Sequence, residues 1–228
     1  MMAADFPSTF VGGNIGRSLL DELPAMTAES RIALELSSFQ LQELQQSPHL
    51  AVITNITPNH LDMHASMEEY IAAKANILRF QQAGDSAVLN HDNEATLALA
   101  RQAKGRVYYF SRTAGLPEGA FLNGTKLMLR LAGSEEVIAD RAELKLLGDH
   151  NAENVLTAAL TARLSGVSLA SIHKVAAEFT GVEHRLELVR DYKGVRFYND
   201  SISTTPDRAI AGIKAMDRLI VLIAGGYD

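Results

Sequence analysis

Two short apolar runs, each ending on residues that carry chemistry, narrow what this chain can fold into. Arg31-Ile32-Ala33-Leu34 leads into Glu35, and Leu50-Ala51-Val52-Ile53 leads into NITPNHLDMH, which spans 55–64. Runs this short and apolar, bounded by polar clusters, read as buried strands of a parallel sheet. In an open parallel sheet ligands bind outside the carboxyl ends of the strands, where Glu35 and His60 would both stand. A carboxylate oxygen and an imidazole beside a phosphate suit a metal site for phosphoryl chemistry. The plainer alternative is a pair of ordinary polar residues at strand ends.

The 228 residues allow one or two domains, with ample chain for a core. An apolar share of 47% with 21% charged residues is that of an ordinary soluble globular protein and excludes a disordered chain. The net charge of −6, with no Lys/Arg stripe, argues against a nucleic-acid partner. Zero cysteines exclude disulfides and thiolate metal sites and suit a cytoplasmic protein. The longest purely apolar run, 219–224, is far too short to insert across a bilayer, and no secretory signal is visible. Met1-Met2 stands before what reads as mid-domain sequence, and the chain stops just after an apolar run and Gly225-Gly226. Both ends read as those of a fragment.

Turn and capping signals divide the rest. Gly12-Gly13-Asn14-Ile15-Gly16 opens an expected helix over 17–23, and a helical stretch around 39–46 separates the two apolar runs. Ser66 and Glu69 fit a capping box that starts a helix to about 82. Strands are expected at 86–90 and 106–111 with a helix near 93–103 between them, then an antiparallel meander over 120–139 around Asn123-Gly124 and Gly133-Ser134. Helices follow at 152–164 and 169–178, and a boundary falls near 180–183. Beyond it, 186–191 and 195–198 read as a hairpin around Lys193-Gly194, Pro206 starts a helix, and 219–224 reads as a strand. The fold class is α/β: a mostly parallel sheet flanked by helices with a small antiparallel portion, plus the start of a second Rossmann-like unit.

Several motifs carry possible chemistry, each with a plainer alternative. The glycine loop offers backbone N–H groups to an anion, or is only a turn. Ile71, Lys74 and Leu78 share a helix face, and Ala72, Ala73 and Ala75 are small. Lys74 is then either a partly desolvated amine available for covalent chemistry or a lysine that snorkels to water. Asn151 and Asn154 in GDHNAEN form a donor–acceptor pair for a purine edge, or Asn151 is an N-cap. Arg185 and Asp200, on adjacent strands of the expected hairpin, suit a phosphate and a ribose hydroxyl, or form a surface ion pair. His60, Asp62 and His64 also admit a metallohydrolase reading, although His49, His91, His150, His173 and His184 are too scattered to complete it.

Taken together, the motifs resemble those of the Mur ligases. GGNIG at 12–16, ELSSFQL at 35–41, NITPNHLD at 55–62, YIAAK at 70–74, GDHNAEN at 148–154, HRLE at 184–187, NDSISTTP at 199–206 and LIAGGYD at 222–228 fall in the family's order along nearly the whole chain. GGNIG with ELSSFQL points to the D-glutamate-adding branch. The resemblance implies a three-domain parent, with 1–181 as a central ATPase domain lacking its start and 182–228 as the beginning of the C-terminal domain. It implies a monomeric cytoplasmic ligase of peptidoglycan precursor synthesis, and so of cell-wall growth, shape and division. ATP would phosphorylate the carboxylate of UDP-N-acetylmuramoyl-L-alanine, and the amine of D-glutamate would attack the acyl phosphate.

By the same resemblance, Glu35 and His60 would hold Mg²⁺ or Mn²⁺. Lys74 would be carbamylated, as a further ligand, in the parent alone. Asn14, Ser37 and Thr204 would contact substrate, Asn151 and Asn154 adenine, and Arg185 and Asp200 the phosphates and ribose. Ile202 stands where the family often has lysine, so no contact is carried over to it. The family's G-x-x-G-K-[ST] loop does not occur in these 228 residues, which implies that they do not catalyse the reaction alone.

Overall fold

Apolar runs alternate with helical ones through most of the chain, and a computed structural model describes residues 1–15, 18–57 and 64–225, the side chain of Asp207 excepted. The chain starts with α1 (Met2–Asp5), β1 (Thr9–Gly13), a 3-10 helix (Leu20–Ala25), β2 (Arg31–Glu35) and α2 (Ser38–Gln42). It continues through β3 (Leu50–Ile53), α3 (Met67–Arg79), β4 (Ser86–Asn90), α4 (Glu94–Leu99), β5 (Arg106–Ser111), β6 (Gly119–Asn123), β7 (Lys126–Leu131) and β8 (Ser134–Asp140). Then come α5 (Asp149–Leu164), α6 (Leu169–Glu178), β9 (Glu187–Tyr192), β10 (Val195–Asn199) and α7 (Pro206–Lys214).

β3 to β8 form one sheet in sequence order, with β3 to β6 paired parallel and β6 to β8 antiparallel. The expected parallel and antiparallel portions are therefore one continuous six-stranded sheet. Successive residues of a strand face opposite ways, so Ala87 and Leu89 enter one core with Tyr70 and Leu78 of α3, while Val88 enters the other with Leu156, Leu160 and Ile172 of α5 and α6. A sheet covered on both faces needs apolar residues on both, which is why β4 reads as a continuous apolar run.

Four expectations change. β1 and β2 form a separate two-stranded parallel sheet, and β2 is not buried: Ile32 is 49% and Leu34 51% exposed. Among the described residues β2 pairs with β1 alone, and a two-stranded sheet lacks the cover that burial requires. The expected helix at 17–23 is instead the 3-10 turn at Leu20–Ala25, which contains Pro24; Gly16 and Arg17 lie outside the described residues. Ser66 accepts from Glu69 N at 3.2 Å, but the Glu69 carboxylate takes Ala65 N, so only half of the capping box forms. Residues 219–224 form no strand, and Leu219, Val221 and Ile223 are almost fully exposed, because among the described residues nothing pairs with them.

Candidate active site at the carboxyl edge

Glu35 is set by its backbone. It is the last residue of β2 and pairs with Gly13, whose φ of +108° brings the two main chains together. A Cβ at position 13 would stand 2.1 Å from the Glu35 carbonyl oxygen, so glycine is required there. The Asn14 N–H donates to that same oxygen at 2.8 Å, and its side-chain amide lies 3.5 Å from Glu35 Oε1. Asn14 and Glu35 thus leave the sheet together, both exposed.

Lys74 faces this end from α3. Burial pushes its ammonium below the ordinary lysine range, and the Glu35 carboxylate opposes that shift. Its Nζ lies 5.3 Å from the centre of the Tyr70 ring. The side chain is half-buried beside a carboxylate, which favours the desolvated-amine reading over a snorkelling one. His60 and Asp62 lie outside the described residues. Among the described residues no three His, Cys, Asp or Glu side chains gather as a metal would need. Of the described donors the Glu35 carboxylate oxygen suits a hard divalent cation, and Lys74 would add an oxygen donor only as a carbamate.

His64 takes a different place from the one that the metallohydrolase reading needs. It is 3% exposed, its Nε2 is 2.9 Å from Ser38 Oγ, and its ring stacks on Phe39 at 5.0 Å. An imidazole nitrogen bonded to a buried hydroxyl is not free to ligate. Ser37 is the N-cap of α2 in a full capping box with Gln40, so its hydroxyl already has a structural partner.

The nucleotide candidates divide between two elements. α5 begins at Asp149 behind Gly148, so Asn151 sits inside the first turn and is not the N-cap. Asn151 donates to Leu147 O at 2.8 Å and accepts from Asn154 Nδ2 at 3.2 Å, leaving the exposed Asn154 carbonyl oxygen outward. Asp200 accepts from Leu186 N at 3.0 Å and lies against Gly212 of α7, where a Cβ would stand 2.6 Å from Oδ2. Arg185 is exposed in the turn before β9 and not on the strand itself. Burial pushes His150 below the usual imidazole range, Asp200 and Asp149 raise it, and Arg185 lowers it further. That mutual influence puts Arg185 and Asp200 beside the start of α5. Thr204 is exposed, its N–H turned to Ile202 O at 3.0 Å, and the structure does not bring it to Glu35.

One cluster escaped the sequence reading. Asn90, at the end of β4, donates to Thr54 O at 2.8 Å and to Glu153 Oε1 at 2.9 Å, so it ties α5 to the segment leaving β3. Burial pushes the Glu153 carboxyl up, and Arg112, with Nε 4.0 Å away, draws it back. Asp92 accepts from Ser111 Oγ at 2.5 Å, Thr113 Oγ1 at 2.7 Å and Arg112 N at 2.7 Å, which fixes the turn after β5. Asn90 and Asp92 stand directly after an apolar run, and that position was the available signal.

Residues 16–162 match the profile of the Mur ligase middle domain. Along 219 residues, 96% of this chain, the sequence is 50% identical to the UDP-N-acetylmuramoylalanine--D-glutamate ligase of Acetivibrio thermocellus, and along 220 residues it is 48% identical to that of Clostridium novyi. The chain spans 47% of the length of each, about half. The fold is shared with MurF of Acinetobacter baumannii (TM-score 0.67, 19% identity, 89% of this chain and 52% of that one). A pseudomurein peptide ligase type C from Methanothermus fervidus is similarly related (TM-score 0.63, 16% identity, 91% and 55%).

Proposed function

The chain belongs to the Mur ligase family, and from that premise we propose that it is the middle portion of the ligase that joins D-glutamate to UDP-N-acetylmuramoyl-L-alanine. The observation that supports this most directly is identity of up to 50% with relatives of that name, in a chain that sets the Glu35 carboxylate near enough to Lys74 to oppose the effect of its burial. In this reading 1–181 forms the central domain and 182–228 begins the next one.

The reaction consumes ATP: the substrate carboxylate becomes an acyl phosphate, and the D-glutamate amine displaces phosphate to form the amide. The transferred group carries spread negative charge, so the task is positioning and neutralisation. Glu35, His60 and, once carbamylated, Lys74 would hold Mg²⁺ or Mn²⁺, which supplies positive charge to the phosphate oxygens. Glu35 is an oxygen donor, so the hard cations are preferred to tetrahedral zinc. Asn14 and Ser37, flanking Glu35, orient the muramoyl substrate. Asn154 presents its carbonyl to the adenine amine, while Arg185 and Asp200 take phosphate and ribose.

The family's phosphate loop supplies backbone donors and a lysine to the β- and γ-phosphates, and no string of that pattern occurs in these 228 residues. The chain alone is therefore expected to release no ADP in the presence of both co-substrates and Mg²⁺. Two-dimensional NMR of the purified chain tests the binding half separately. UDP-N-acetylmuramoyl-L-alanine should move the amide signals of Asn14 and Ser37, and ADP those of Asn154, Arg185 and Asp200. ADP release dependent on both co-substrates would refute the inactivity, and ligand-induced shifts confined to other segments would refute the site.

A further inference from the structure

We propose that His64 is a positioning residue that sets Glu35 against Lys74. The inference rests on the reading of those two side chains as members of one metal site. Ser38, bonded to His64 at 2.9 Å, lies three residues beyond Glu35 at the start of α2. Tyr70, whose ring is 5.2 Å from that of His64, lies one helical turn before Lys74 and carries the lysine Nζ over its face. His64 thus stands between the turn that follows β2 and the helix that carries the lysine. A shift of either element presses on its ring, beside the Asn76 bonds that also join α3 to the end of α2.

Packing alone would not select histidine here. A phenylalanine would fill the same slot between Phe39 and Tyr70, with ring centroids at 5.0 and 5.2 Å, and would bury no polar atom. Instead an imidazole and a hydroxyl, each in a residue only 3% exposed, are buried together. Among the described residues Nδ1 has no hydrogen-bond partner, and the Glu69 carboxylate is 3.8 Å away. That carboxylate favours a proton on Nδ1, which leaves Nε2 to accept from the Ser38 hydroxyl. A buried nitrogen without a partner costs free energy and adds nothing to packing. What the histidine adds is direction: one directed bond to α2, and two ring contacts that hold its plane against α2 and α3. Groups that orient metal ligands without touching the metal typically change affinity by about 10–100-fold when removed.

The test uses the 228-residue chain, Mn²⁺ as the probe, and four variants. Electron paramagnetic resonance measures Mn²⁺ affinity in the millimolar range, and Mn²⁺-induced broadening of the Glu35 and Lys74 amide signals locates the ion. His64→Phe keeps the stacking and loses the bond; it should lower the thermal midpoint no further than Ser38, left buried without its partner, requires, and bind Mn²⁺ about ten-fold more weakly or worse. His64→Gln can restore a bond to Ser38 and should recover part of the loss. Ser38→Ala removes the bond from the other side and should weaken Mn²⁺ in the same direction, which keeps the proposal testable if His64→Phe does not fold. Unchanged Mn²⁺ affinity in both His64→Phe and Ser38→Ala overturns the positioning role while leaving the metal site standing. Unchanged affinity in Glu35→Gln, or no Mn²⁺ binding by the unaltered chain, overturns the metal reading and this inference with it.

Discussion

Lys74 concentrates the chemical question at the scale of single residues. A carbamate forms only on a neutral amine, and burial moves Lys74 toward neutrality, while Glu35 beside it holds the proton on. Once formed, a carbamate would be a second anion next to Glu35, and it persists only where a cation sits between them. The carbamylated state is therefore expected in a nucleotide- and Mg²⁺-loaded parent, and an unmodified ammonium in the 228-residue chain by itself. Carbon-13 NMR under labelled carbon dioxide checks this: a Lys74 carbamate signal in the metal-free chain would overturn it. Lys74 was legible as a candidate from its spacing with Ile71 and Leu78 and from its alanine neighbours. The occupation of Ser37 by Gln40 was not, because a capping serine and a ligand-binding serine look alike in a sequence until the helix start is known.

Elements are held by side chains whose partners lie far away in sequence, and Asn76 shows this most clearly. It sits on α3, 8% exposed, and its amide donates to Leu41 O at 2.6 Å and Leu44 O at 2.7 Å, the carbonyls where α2 ends. The last carbonyls of a helix lack intrahelical partners, and here α3 supplies them. Asn76→Ala removes the donor from Leu44 O and leaves Leu41 O with the Leu44 N–H at 3.1 Å, at an expected cost of about 1–3 kcal/mol. Urea denaturation checks it: the midpoint should fall with the slope unchanged, and an unaltered midpoint would refute the role. Such long-range caps are what a local reading cannot see, and α2 accordingly spans Ser38–Gln42, shorter than the helical stretch expected to 46. The strands Ser86–Asn90 and Arg106–Ser111 and the meander were legible because apolar runs and Asn-Gly and Gly-Ser turns are local signals. β1 was missed because its glycines, needed for the close approach to Glu35, read as a loop.

At the scale of the molecule, stability is concentrated in the six-stranded sheet and its covering helices, where the three buried clusters lie. The β9–β10 hairpin adds little, with Val189 60% and Phe197 51% exposed. All the carboxylates held below their ordinary range, Glu29 excepted, belong to the same unit. Asp5 is lowered by Ser171 and the N–H of Ser168 on α6, Asp85 by the N–H of Gln82 and by His49, Asp140 by Thr125, and Asp149 by Arg141. For Asp92 burial acts upward, but bonds from Ser111, Thr113 and Arg112 outweigh it. A carboxyl whose folded pKa is depressed binds its proton more readily in the unfolded chain. Its contribution is therefore complete above the unfolded value, about 4, and is lost as pH falls through the lower folded value. Glu153 has the opposite sign: burial raises it, so its charge costs stability once pH climbs past the unfolded value. Seven lowered carboxyls, these five with Glu29 and Glu68, against the raised Glu153 make the acid limb the steep one. The urea midpoint should begin to fall below about pH 6.5, where unfolded His150 takes up a proton more readily than the buried folded one, and should fall steeply below about pH 4 as the carboxyls protonate. With no tryptophan present, tyrosine fluorescence, reporting Tyr108 and Tyr109 of β5, follows the transition alongside far-ultraviolet circular dichroism. Asp92→Asn, which keeps the shape and gives up the charge, should flatten the acid limb and lower the neutral midpoint. Glu153→Gln should raise the neutral midpoint, because its amide removes a buried charge while its oxygen still accepts from Asn90. An Asp92→Asn profile that overlays the unaltered one, or a Glu153→Gln midpoint that falls at neutral pH, would show that these carboxylates do not govern the acid response.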